Sequence, residues 1–147
     1  MNTTLTRRTS TVAVGVDGSL ESRRAVAWAI DHARPGDTIL LVHAWQRAPA
    51  TVSSAVTPVN EEAAAARLVE REVCHARLLQ TSAGVTVLGE AVEGPPEVAL
   101  TATHADTVVI GGPHHSPLVR ALLRPLAARL VSAGRTAVVV VPPTKGC

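Results

Sequence analysis

Val108-Val109-Ile110-Gly111-Gly112-Pro113-His114-His115-Ser116, with Arg124-Pro125 further on, is the stretch from which the fold is read. A β-branched run passes directly into glycines, and a helix is expected to open at Pro125, just over a dozen residues later. That is the outline of a phosphate cradle. Glycine backbone N–H groups approach an anion closely, and a helix N-terminus adds partial positive charge. The details depart from such a cradle. His114 stands where a second glycine is wanted, and Arg124-Pro125 replaces a small residue and a hydroxyl. Pro125 also has no N–H to offer. The stretch reads as a nucleotide-binding plan with its phosphate grip rewritten.

Working outward, Thr11 to Val16 is a short β-branched strand that runs into the turn Asp17-Gly18-Ser19. Ser19 is placed to cap a helix reaching about Ala33, with Glu21 well placed against its dipole. Thr38 to Trp45 is a second buried strand. Residues 46–59 form a long loop of Ala, Pro, Ser, Thr and Val. Asn60 caps a long helix with Leu68, Val69, Val73, Ala76 and Leu79 on its apolar face. Val85 to Val92 alternates clearly, as a strand near a sheet edge does. Pro96 suits the first turn of a helix ending near His104. Thr107 to Ile110 is a fourth strand, and Thr136 to Val141 a fifth. The final helix is expected between them, from Pro125 to Ser132.

Strands alternating with helices imply an α/β domain with a parallel sheet, right-handed crossovers and helices on both faces. At 147 residues one such domain is expected, over residues 9–143, between a disordered segment 1–8 and a tail 144–147. Ligands of open parallel sheets bind beyond the carboxyl ends of the strands, where strand order reverses. Here the polar and glycine-rich residues end strands one and four.

Composition narrows the function. Apolar residues make up 46% of the chain, yet Trp28 and Trp45 are the only aromatics. That argues against a protein that stacks single-stranded nucleic acid on aromatic platforms. A net charge of +2 gives no electrostatic reason for a nucleic-acid partner. The charge is unevenly spread: from Thr107 onward there is no Asp or Glu, while Arg120, Arg124, Arg129, Arg135 and Lys145 fall there. That segment is either a solvated basic face or an anion site. Cys74 and Cys147 make no disulfide framework, and no long apolar run suggests a signal peptide or membrane span. The expectation is a cytoplasmic protein with no membrane attachment.

Several chemistries lack their residues. No GxxxxGK[ST], GxGxxG or Gly-x-Ser-x-Gly follows any strand. The six histidines are scattered over different elements, His43 reads as a satisfied core histidine, and His114 and His115 diverge as neighbours, so no metal is expected. Asp17, at the end of strand one, is a carboxylate that either accepts from a ligand hydroxyl or amine or caps the following helix. ATP hydrolysis is disfavoured because no general base or metal-binding carboxylate is expected near the loop.

Over about residues 9–143 the chain resembles the universal stress protein family. The matching stretches are Val14-Gly15-Val16-Asp17-Gly18-Ser19, Leu41-Val42-His43-Ala44-Trp45, Val92-Glu93-Gly94-Pro95-Pro96, Val108-Val109-Ile110-Gly111 and Val138-Val139-Val140-Val141-Pro142. Their order and spacing carry the resemblance. It implies five parallel strands in the order 3-2-1-4-5 and a homodimer through Ala137 to Val141, which would otherwise be an exposed apolar edge. Some members of that family bind ATP through Gly-x-x-Gly, nine residues, then Gly-Ser or Gly-Thr. Laid on this chain, only Gly111 matches; His114 and Arg124-Pro125 do not. Asp17 matches the ribose-side residue, and Ala44 falls where a backbone contact to adenine is usual.

The resulting expectation is a non-catalytic stress-response domain with ATP binding lost or weak and no resident cofactor. Its alternative is a sensor that takes ATP, AMP or another anion between strands one and four. The candidate residues are Asp17, Gly18, Ala44, Gly111, Gly112, His114 and Arg124, with Arg120 as a further donor to an anion.

Overall fold

A computed structural model describes residues 8–47, 60–80, 82–113, 119–125, 128 and 137–143. The elements are β1 (Thr11–Gly15), α1 (Leu20–His32), β2 (Thr38–Trp45), α2 (Glu61–Leu79), β3 (Thr86–Glu93), α3 (Pro96–Ala102), β4 (Thr107–Gly111) and β5 (Ala137–Val141). Residues 119–125 are also helical. The five strands pair in parallel in the order β3-β2-β1-β4-β5. Strand order therefore reverses between β1 and β4, where the sequence places the crevice.

Side-chain alternation sorts the central strands onto two buried faces. Val14 and Val109 join Val26, Ala29 and Ala76 in one cluster, under α1 and α2. Their neighbours Ala13 and Val108 join Leu100 and Val119 in the other. The core is thus a sheet covered on both sides, the arrangement that an almost wholly aliphatic, β-branched composition suits. Gly89 shows how close the covering lies: a Cβ there would overlap Val69 and Val73 of α2.

Local chemistry ends the elements as expected. The Ser19 hydroxyl accepts from Ser22 N–H, and the Asn60 side chain accepts from Ala63 N–H, capping α1 and α2. At the opposite end of the sheet from the crevice, Asp37 is buried and accepts from the N–H groups of Ser10 and Arg34. Asp106 accepts from Thr11 N–H at 2.9 Å. These carboxylates tie the incoming loops to the start of the strands.

The two rims of the sheet differ. On β3 the Arg77 guanidinium donates to the outward carbonyl of Val87 at 3.0 Å. On β5, Ala137 N–H and Val141 C=O are bonded towards β4. By the alternation of a parallel ladder, Val138 and Val140 turn their backbone groups to the open side.

Two expectations need correction. The helix after β4 is already formed at Val119, so Pro125 lies within a helical run and does not open it. The pull of proline towards a first helical turn is a preference, and it yields to Val119, which buries its side chain in the core. Leu79 is 39% exposed and so is not part of the buried face of α2. Glu72 takes a buried place there instead, with one oxygen 3.5 Å from Arg23 Nε. The expected loop core 48–59, His114 to Ser116, the end of the last helix and the two termini lie outside the described residues.

Candidate functional site

Beyond the carboxyl ends of β1, β2 and β4 is a cavity of about 670 Å³. That is within the size range of small-ligand sites, and its position is the switch point of the sheet. Of the candidate residues, Asp17, Ala44, Gly111 and Gly112 line it. Gly18 does not, and serves the turn with a φ of +82°. Arg120 and Arg124 are exposed and absent from the wall, while Ala121 and Leu122 between them line it. His114 lies outside the described residues.

Asp17 sits one residue past Val16, where β1 has given way to the turn before α1. Its Oδ1 accepts from Ser19 N–H at 2.8 Å, so the carboxylate does cap the turn. Partial burial raises its pKa, but hydrogen bonds from Ser19 and Ser22 and the nearby His43 lower it further, leaving it below the ordinary 3.8. An ionised, exposed carboxylate with a second oxygen is left at the cavity wall. The capping and ligand readings of Asp17 are compatible.

Ala44 owes its place to unequal strand lengths. β2 continues to Trp45, three residues beyond Val42, the partner of the last residue of β1. Val16 N–H donates to Val42 C=O, which sets the residues facing β1 as Val42 and then Ala44. Ala44 thus turns its N–H and C=O to a side where β1 has ended. One backbone donor and one acceptor side by side suit the edge of a heterocyclic base.

His43 is the residue whose part the sequence did not disclose. The expectation of a satisfied histidine holds, because its Nδ1 lies 2.8 Å from Val16 C=O. A carbonyl only accepts, so Nδ1 carries a proton and donates to it. The ring is nevertheless half-buried and lines the cavity rather than the core. Its signal was the end position of the strand, two residues from Trp45.

The glycines have structural causes. At Gly111 a Cβ would overlap the carbonyl group of Glu21, because the end of β4 lies against the first turn of α1. Gly112 has a φ of +133°, and a Cβ there would come within 2.8 Å of Val119. Its N–H, the donor expected to face an anion, bonds Val141 C=O at 3.0 Å. Two acidic residues that the sequence did not place there, Glu21 and Glu97, also belong to the wall. Among the described residues, no group of three or more His, Cys, Asp or Glu is placed to hold a metal ion.

A five-stranded parallel sheet with this order and a cavity at its reversal is an α/β domain of the Rossmann-like, nucleotide-binding type. The model of the universal stress protein family matches residues 9–142, and the chain belongs to that family. Solved structures agree in fold. A universal stress protein in complex with cAMP is 22% identical with a TM-score of 0.61, covering 92% of this chain and 98% of that one. A family protein from Burkholderia pseudomallei is 21% identical with a TM-score of 0.61, covering 91% and 96%. One from Arabidopsis thaliana with AMP bound is 18% identical with a TM-score of 0.56, covering 92% of each. No curated protein matches the chain. No described helix is long and apolar enough to cross a membrane.

Proposed function

We propose that this chain is a non-catalytic, cytoplasmic regulatory domain of universal-stress type, dimeric through β5, with ATP binding lost or weak. Its crevice is kept as a sensor site for the adenosine part of a ligand. The observation that carries this reading is the bond from Gly112 N–H to Val141 C=O, which occupies one of the two glycine donors that the sequence offered to an anion. The base side, by contrast, keeps Asp17 and the outward backbone of Ala44 at the cavity.

A second reading, a sensor that binds an anionic nucleotide, is favoured by the relatives solved with cAMP and AMP. Thermal shift with ATP, AMP and cyclic AMP separates the two. A ligand at 100 times its Kd adds about 2.7 kcal/mol of stability. Silence with all three nucleotides at millimolar concentration rejects the second reading; a shift with ATP at micromolar concentration rejects the first. Phosphate release from ATP above a buffer blank would show the domain to be catalytic after all.

A further inference from the structure

We propose that the crevice selects an uncharged purine nucleoside over its phosphate esters. This rests on the reading of the cavity as a site for the adenosine part of a ligand, and goes beyond it by assigning the charge that the site accepts.

The wall supplies the argument. Its acidic members are Asp17, Glu21 and Glu97, and no Lys or Arg accompanies them among the described residues. The exposed Asp17 carboxylate puts a negative charge at that wall, and charges act over a Debye length of about 8 Å at physiological salt. Each phosphate added to a nucleoside brings negative charge into that field. Two backbone donors that could compensate are already engaged. Gly112 N–H is bonded to Val141, and Ser22 N–H, in the first turn of α1, is held by the Ser19 hydroxyl. Arg120 and Arg124 stand outside the wall.

An uncharged nucleoside meets none of these obstacles. Leu100, Ile110, Val119 and Leu122 give an apolar surface for a purine ring. Ala44 presents one donor and one acceptor to the base edge. The ionised Asp17 carboxylate accepts hydrogen bonds and donates none, which suits a ribose diol and repels a phosphate.

Calorimetric titration of the full chain with adenosine, AMP and ATP, without added metal, tests the proposal. Adenosine should bind at least about tenfold more tightly than AMP, and ATP more weakly still. Glu21→Gln combined with Glu97→Gln should shrink that preference to within about threefold, chiefly by improving AMP. Raising the salt should shrink it as well. AMP or ATP binding as tightly as adenosine overturns the proposal and leaves the crevice reading intact. So does a preference unchanged in the double variant, provided its melting curve shows it folded. Absence of binding by all three overturns the proposal and the crevice reading together.

Discussion

Gly111 lies against the carbonyl of Glu21 so closely that no side chain fits between β4 and the first turn of α1. A glycine that looks chosen for ligand approach is thus demanded by packing. Gly15, also at the cavity, is different: a Cβ there would meet Leu100 and Ile110 at 3.6 and 3.7 Å, ordinary contact.

Gly111→Ala should therefore destabilise the domain by about 3 kcal/mol, since the first turn of α1 must move. Gly15→Ala should change stability by less than about 1 kcal/mol. Urea denaturation of the two variants beside the parent checks the contrast. Equal losses would show that the contact with Glu21 is relieved without strain.

Asp17 gives a prediction for acid. Its folded pKa lies below 3.8, through hydrogen bonds from Ser19 and Ser22 and the nearby His43 that outweigh desolvation. The folded state then binds its proton less readily than the unfolded chain. The stability so gained is complete above the unfolded value and is lost as pH falls through the folded one. Asp17→Asn keeps an acceptor for Ser19 N–H but cannot titrate. Between about pH 5 and pH 3 its melting temperature should fall less than that of the parent. Parallel curves would remove Asp17 from the acid response.

The β5 rim gives a third. Val138 and Val140 point their backbone groups to the open side, so proline at either removes an outward N–H without breaking a bond to β4. If β5 is the dimer interface, light scattering should find Val140→Pro and Val138→Pro monomeric where the parent is dimeric. A folded variant that remains dimeric places the interface elsewhere.

The parallel sheet and the position of the crevice were legible because they follow from period and punctuation: β-branched runs, caps at Ser19 and Asn60, and glycines at the strand ends; the strand order came from the family resemblance. Asp17 was legible as a strand-end position, and Ala44 came from the family resemblance. What failed had tertiary causes. The start of the helix at Val119 is set by burial of that side chain, against the local preference of Pro125. The use of Gly112 N–H depends on β5, which lies far along the chain. Glu21 and Glu97 reach the wall from two different helices, so no spacing in the sequence announces them together.

The guanidinium of Arg77 over Val87 carries a consequence for stoichiometry. A sheet with two sticky rims can add copies head to tail and grow into a fibre. Here Arg77 takes one outward carbonyl of the β3 rim, and among the described residues the outward groups of Val138 and Val140 on β5 have no such cover. If the copies pair through β5, like rims meet only once and association ends at two copies. A side chain on α2 then helps to set the count, far from the surface where the copies meet.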